Sequence, residues 1–568
     1  MKRKSQYVLT AIMLNAFLFL SMQYDMSPGS RVNELIFIRI THLKQHNTID
    51  EHTRIYCIPD VIREYSQNGY GPIWTNDRQV ASFIDILEHA GSEGISPSDY
   101  HLLRLKQLAV SRRDEYIATR DILLTDAFLL YASHISSGKV DPDQYTARWH
   151  VITQSINPAE YLHRLKKEKV SDIIKEISPH AAEYHRLGKA LNDYMDILRH
   201  GGWGRIDGGK MIEPGDRDHR IVKIRERLKM SGNLFPSAST ESDLYDDDLR
   251  RSVLSFQQRH GIPADGIIGR ETIGMMNIPP DQIVQQIRIN MERWRWLPHD
   301  PGSYYLFVNS ANFELKVVRD GVTVSRNKVI VGRPYRKTPI LSSQIEYLVF
   351  NPSWIIPHGI LAKDILPLVR KDMGYLEKEH IRIIDSNGRF VDPRNIDWKD
   401  ESIADEYLFR QDPGKNNALG SVKFVFPNSY SIYLHDTPAK DLFENRKRTF
   451  SSGCIRVERA LNLAYLLLDD ETYWSMDYIQ LIVQSTNYQM VPLRVKPPIY
   501  VTYFTFWVED DGTYQFRRDI YHRDPHVLSA LQEEPPAVIN QETRRQPKSE
   551  NSSDRYRPDN RQRDRLHF

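Results

Sequence analysis

The spacing of apolar residues changes character near position 304. Before it, over residues 32–199, apolar positions recur mainly at helical intervals. The run Asp121-Ile122-Leu123-Leu124-Thr125-Asp126-Ala127-Phe128-Leu129-Leu130-Tyr131 lays them on a broad stripe. Asn68-Gly69-Tyr70-Gly71-Pro72 and Ser96-Pro97-Ser98-Asp99 interrupt the pattern with turn residues. This half reads as a helical scaffold without a catalytic constellation. Gly201-Gly202-Trp203-Gly204 and Gly208-Gly209 read as a linker. Three short helices follow, at 220–228, at 248–257 and from Arg270, with the glycine-punctuated loop His260-Gly261-Ile262-Pro263-Ala264-Asp265-Gly266-Ile267-Ile268-Gly269 before the third.

From Tyr304 the period becomes that of a strand. Phe313, Leu315 and Val317 alternate with Glu314 and Lys316, and Asp320-Gly321 signals a type I′ hairpin into 322–324 and 328–331. Strand patterns return at 345–350, 422–426 and 431–434. A helical interval near 361–373 separates them, so 364–414 is expected to form a flap or cap inserted into the sheet domain. Beyond Asp524 the chain turns polar, and its tail has too little apolar surface to fold.

Composition narrows the class. The chain has 568 residues, 40% hydrophobic and 26% charged, with a formal net charge of +2. That length exceeds one ordinary core, and that charge removes the global electrostatic case for a nucleic-acid partner. Lys2, Arg3 and Lys4 precede an apolar run at 7–20, the layout of an export signal; without a clear cleavage site it also reads as an uncut inner-membrane anchor. Either way the body of the protein is expected outside the cytoplasmic membrane, in the periplasm. No second stretch is long and apolar enough to span a bilayer.

The candidate chemistry sits at Ser451-Ser452-Gly453-Cys454-Ile455-Arg456, with His435 nineteen residues before the cysteine. Val457, Ala460, Leu461, Ala464 and Leu467 have helical spacing. Cys454 is therefore expected at or just before a helix N-terminus, where amides, the helix dipole and Arg456 favour a thiolate. Gly453 would let a substrate carbonyl approach the backbone and its N–H groups. His435, at the end of a predicted strand, is the candidate base. Counting alone would pair the two cysteines, Cys57 and Cys454, in a disulfide; the surroundings of Cys454 argue against it. Ser325-Arg326-Asn327-Lys328 and Ser136-Ser137-Gly138-Lys139 match a Ser-x-x-Lys tetrad, but no Ser-Asp-Asn or Lys-Thr-Gly accompanies them.

The segment 451–456 with His435 resembles the signature of the L,D-transpeptidases (YkuD-type catalytic domain). Asn351-Pro352-Ser353-Trp354-Ile355-Ile356-Pro357 and Met291-Glu292-Arg293-Trp294-Arg295-Trp296-Leu297-Pro298 resemble the groove and domain junction of the large proteobacterial members. Phe256-Gln257, Asp265-Gly266 and Gly269-Arg270-Glu271-Thr272 resemble the three-helix peptidoglycan-binding module. Two positions depart from many members: Asp436 follows the histidine in place of Gly, and Ser452 replaces a second histidine. Members with an inserted cap share both.

The resemblance implies Cys454 as nucleophile and His435 as base. It makes Gly453, Ser452, Ser451, Arg456, Tyr433 and Trp354 candidates for oxyanion or substrate binding, and Asp436 the orienting candidate. No metal or organic cofactor is implied. The implied partners are peptidoglycan stem peptides and other wall-synthesis enzymes. The implied reaction is acylation of Cys454 by a tetrapeptide stem with loss of D-Ala, then capture by an amine to give a 3→3 cross-link; water, a D-amino acid or a lipoprotein lysine are alternative acceptors. A wall-binding protein without catalysis is the other alternative.

The expected fold is multidomain α+β. It comprises an export segment (1–30), a helical scaffold (31–218) and a three-helix peptidoglycan-binding module (219–280). A mainly-β L,D-transpeptidase catalytic domain (281–525) with an inserted helical cap (364–414) follows, then a disordered polar tail (526–568).

Overall fold

The computed structural model describes residues 28–51, 53–142, 149–150 and 156–537. The export segment at 7–20 and the tail beyond 537 lie outside these residues. Among the described residues, no helix is long and apolar enough to cross a membrane. The chain divides into two compact units, one holding residues up to 140, 154–192 and 528–547, the other chiefly 193–527.

The first unit is helical, built around the long helix Asp114–Ser137. That helix is buried on nearly every side, so two of its acidic residues, Asp121 and Asp126, are turned inward as well. Each has a backbone to cap. Asp126 accepts from the N–H groups of Tyr56 (3.0 Å) and Cys57 (2.7 Å) at the start of helix Ile58–Gln67. Asp121 accepts from the N–H groups of Ile73 (2.8 Å) and Trp74 (2.9 Å) and from the Tyr65 hydroxyl (2.5 Å). Buried carboxylates satisfied this way specify the fold rather than perturb it.

The start of the polar tail folds, against expectation. Helix Asp524–Gln532 carries the buried residues Ala530 and Leu531, an apolar spacing masked by its charged neighbours. Within the first unit, Lys139 Nζ donates to the carbonyls of Leu531 (2.9 Å) and Glu533 (2.7 Å), and the Tyr56 hydroxyl to Glu534 (2.7 Å).

In the second unit, helices Arg220–Met230, Asp247–Arg259 and Arg270–Met276 enclose a small core with Phe256 at its centre. The motif residues explain the packing. Gln257 Nε2 donates to Asp265 Oδ1 (3.0 Å), the Ile267 carbonyl (2.9 Å) and Thr272 Oγ1 (3.1 Å), and its Oε1 accepts from the Gly266 N–H (2.9 Å). One buried amide thus stitches the loop to the third helix. The glycine-rich stretch read as a linker lies on this core: Trp203 Nε1 donates to the Ile278 carbonyl (3.0 Å) and Ile206 is buried within it.

The rest of the unit is built on one large mixed sheet. Its order, from one edge, is Trp149–His150, Ile340–Gln344, Pro498–Thr502, Tyr304–Asn309, Glu314–Arg319, Val322–Gly332, Ile455–Val457, Leu434–His435, Val422–Val425, Tyr347–Phe350 and Gln489–Pro492. The hairpin between Glu314–Arg319 and Val322–Gly332 turns at Asp320 (φ 50°) and Gly321 (φ 76°), the two positive angles a type I′ turn requires.

The inserted segment is not simply helical and begins earlier than 364. Strands Trp354–Ile355, Ile381–Ile384, Phe390–Val391 and Leu408–Gln411 form a separate four-stranded sheet. Helix Leu366–Lys371 and its neighbours pack on that sheet around Ile356, Leu361, Val369, Ile383 and Phe409. Two of those strands have only two residues, too short to leave a period in the sequence.

Candidate active site

The long strand Val322–Gly332 organises the site. Its end pairs in parallel with Thr449–Ser451 (Ser451 opposite Gly332), and the same strand pairs antiparallel with Ile455–Val457 (Arg456 opposite Ile330). Between these contacts the chain must reverse within Ser452-Gly453-Cys454. Gly453 takes φ +121°, a region L side chains rarely adopt, and a Cβ there would press on Ile432 at 3.2 Å. Ser451 Oγ donates to the Cys454 carbonyl (2.5 Å) and accepts from the Gly453 N–H (3.1 Å). Thr338 Oγ1 donates to the Gly453 carbonyl (2.8 Å). The turn is therefore fixed on both sides.

On its other edge Ile455–Val457 runs parallel to Leu434–His435, with His435 opposite Arg456, and the Ile455 N–H donates to the Tyr433 carbonyl (3.2 Å). Side chains alternate along a strand, so Cys454 and Arg456 share one face with Tyr433 and His435. Lys423, opposite His435 on strand Val422–Val425, joins them, with its Nζ 4.0 Å from the centre of the Tyr433 ring. The Tyr433 and His435 rings meet edge to face at 5.6 Å.

His435 is buried, only 4% exposed. Its Nδ1 lies 2.5 Å from the Asp436 carbonyl oxygen. A carbonyl can only accept, so Nδ1 carries the hydrogen and Nε2 keeps the lone pair. Burial, reinforced by the nearby positive charge of Arg456, pushes the imidazole down to about 3, against the opposing pull of the Asp436 carbonyl. Burial also pushes the Cys454 thiol up; hydrogen bonds from Tyr433 and the charges of Lys423 and Arg456 work the other way. Both effects favour a neutral thiol and a neutral imidazole at rest, and the thiol donates to the Ser431 carbonyl at 3.9 Å.

The structure gathers Cys454, His435, Tyr433, Arg456 and Gly453, and gives the other candidates different work. Ser451 braces the turn from within. Ser452 Oγ accepts from Arg336 Nη1 at 2.8 Å. The Asp436 carboxylate turns away from the imidazole: it accepts from the Ser421 N–H (2.9 Å) and pairs with Lys440, so only its backbone carbonyl orients His435. Trp354 packs on the core of the inserted segment, on its two-residue strand.

The expected helix N-terminus is absent. Cys454 precedes a strand, and the helix Ala460–Leu468 starts beyond it, after Arg459 in the left-handed region (φ 51°). Val457 fits the helical spacing but belongs to the strand. Neither cysteine forms a disulfide. Sequence reasoning missed Arg336, Thr338 and Lys423; only Lys423, a polar residue alternating with Val422 and Phe424, left a local signal. Among the described residues, no group of three or more His, Cys, Asp and Glu side chains could hold a metal ion.

Residues 303–476 match the family described as the L,D-transpeptidase catalytic domain (YkuD), and these residues contain the whole cluster just described. The chain carries an L,D-transpeptidase catalytic domain. Residues 217–276 match a putative peptidoglycan binding domain and residues 59–191 a scaffold domain. The chain is 36% identical over 322 residues to a putative L,D-transpeptidase of Haemophilus influenzae, a match spanning 55% of this chain and 65% of that relative, just under two thirds. Among solved structures it is similar to L,D-transpeptidase 1 of Mycobacterium tuberculosis (14% identity, 35% of this chain and 61% of that one, TM-score 0.14). It is also similar to an L,D-transpeptidase of Stackebrandtia nassauensis (12% identity, 52% and 96%, TM-score 0.21). Within the L,D-transpeptidase domain, the inserted segment falls between strands Tyr347–Phe350 and Val422–Val425, which are neighbours in the large sheet.

Proposed function

We propose that the protein is a peptidoglycan L,D-transpeptidase of the cell envelope, with Cys454 as nucleophile and His435 as base. The observation that carries this reading is the shared face of Cys454 and His435 on paired strands, with Nδ1 anchored and Nε2 bearing the lone pair. A neutral pair at rest means the proton moves as attack occurs. Nε2 takes the thiol proton while sulfur bonds to the carbonyl carbon of the third stem residue. The C–N bond to the terminal D-Ala then breaks, and the departing amine takes the proton back. The Gly453 N–H is already committed to Ser451 Oγ, which leaves the Cys454 N–H as the donor to the developing oxyanion. In the second step the side-chain amine of meso-diaminopimelate on another stem attacks the thioester. His435 takes the proton that the amine loses, and the thiolate leaves and is reprotonated. A 3→3 cross-link results.

The domain at 217–276 would hold the enzyme on the wall, and the 7–20 segment would export or anchor it. Other wall-synthesis enzymes remain proposed partners. The test is mass analysis of muropeptides formed from purified disaccharide-tetrapeptide. A cross-linked dimer lacking one D-Ala supports the reading; tripeptide monomers alone make water the acceptor; unchanged substrate overturns it.

A further inference from the structure

Beside the nucleophile turn stands a cation with no part in the steps above. Arg336 Nη1 donates to Ser452 Oγ at 2.8 Å, and its guanidinium forms a two-pronged pair with the Asp364 carboxylate. The two ends of that pair differ. Arg336 belongs to a turn that is tied down: its N–H donates to the Arg333 carbonyl (2.8 Å), and the Arg333 N–H donates to the Ser451 carbonyl (3.0 Å). Its own carbonyl lies 2.1 Å from where a Cβ on residue 332 would be, so only glycine admits this turn. The arginine is thus fixed relative to Cys454. Asp364 comes from the root of the inserted segment, in the π-helical turn Leu361–Ile365, a rare geometry that recurs at functional sites. The side chains are 18% and 37% exposed for Arg336 and Asp364, so solutes reach the pair.

A planar guanidinium held two residues from a nucleophile and occupied by an internal carboxylate has the chemistry of a carboxylate receptor. We propose that Arg336 is a specificity-determining residue that binds the free C-terminal carboxylate of the donor stem, and that Asp364 holds that place until the donor arrives. This rests on the reading of Cys454 as the acylated residue. The donor carboxylate lies one residue beyond the scissile amide, within reach of a group next to Ser452. Arg456 and Lys423 lie on the sheet face with the thiol itself and are left to act on the sulfur.

The test compares two donors, a tetrapeptide stem ending in a free carboxylate and the same stem ending in a carboxamide. Wild type is expected to prefer the carboxylate in kcat/KM by on the order of tenfold or more. Arg336→Met should bring that preference to within about twofold through loss on the carboxylate donor, and Arg336→Lys should restore part of it. Alkylation of Cys454 by iodoacetamide should change by less than about twofold in Arg336→Met, which separates recognition from damage to the turn. Asp364→Asn, which leaves Ser452 and the turn untouched, should raise kcat/KM for the carboxylate donor several-fold and gives an independent readout if Arg336→Met does not fold. An intact preference in Arg336→Met, equal slowing of both donors and of alkylation, or no gain in Asp364→Asn overturns the proposal. Failure of wild type to acylate at Cys454 with either donor overturns the reading of the nucleophile itself, and this proposal with it.

Discussion

The two cysteines occupy opposite kinds of site. Cys57 sits at the N-cap of helix Ile58–Gln67, where a helix dipole would favour a thiolate, yet it is 1% exposed and its N–H is held by the Asp126 carboxylate. A second anion there would meet that charge in a dry interior. Cys454 has no helix behind it, but it shares a face with a histidine, a tyrosine and two cations. A helix terminus alone does not single out a nucleophile; Cys454 is the candidate because groups that can take its proton and receive its charge share its face.

The buried histidines repeat the lesson. Burial holds both His260 and His435 down to about 3. Each Nδ1 faces a carbonyl, of Phe256 at 2.7 Å and of Asp436 at 2.5 Å. His260, however, is stacked between Phe256 (3.8 Å) and Phe516 (4.3 Å) and serves packing. A depressed pKa marks burial; of the two, His435 alone also shares a strand face with a cysteine, the feature behind its proposed role as base.

The largest expected effect separates these histidines. His435→Ala should lower both acylation and capture by the acceptor amine, by roughly 10²–10⁴-fold. His260→Leu should leave both within a few-fold and act on stability. Stopped-flow acylation by a carbapenem, run beside cross-link formation read by mass spectrometry, makes the comparison.

The pH dependence comes next. His435 stays neutral in the folded protein until pH falls toward 3, so acylation should show no break near 6.5. Stability behaves differently. Both folded histidines sit below their unfolded value of about 6.5, so the unfolded chain binds more protons between pH 6.5 and 3. Their contribution is complete above 6.5 and is lost as pH falls through that window. Urea midpoints from pH 8 to 4 should fall accordingly, and less steeply in His260→Leu. An acylation break at 6.5 would show that the imidazole titrates as if exposed.

Much of this was legible because it is local. The change of period near 304, the Asp320-Gly321 hairpin, the Gln257–Asp265–Thr272 motif and the Cys454–His435 spacing each lie within a short stretch. What was missed depends on distant pairing. Arg336 meets Ser452 across 116 residues, and Asp121 and Asp126 look like a solvated edge until the segments they cap are in place. The inserted segment hid its sheet in two-residue strands, and the helical spacing after Cys454 concealed that its first turn is a strand.

Smaller effects sharpen the account. Asp436→Ala keeps the carbonyl that orients His435 and removes the carboxylate that holds Ser421, so acylation should fall by less than about tenfold. Cys57→Ala should leave turnover within about twofold while costing roughly 1–2 kcal/mol of stability, as for a small buried truncation. A loss of activity as large as that of His435→Ala in either variant would break the contrast.

In the proposed reaction Cys454 carries the acyl group. Acid-quenched enzyme, trapped during turnover of the tetrapeptide donor and mapped by peptide mass spectrometry, tests it directly. The expected result is a stem-peptide adduct, short of D-Ala, on the fragment containing Cys454, absent in Cys454→Ala and retained in Cys57→Ala. An adduct on another residue, or undiminished turnover by Cys454→Ala, would contradict it.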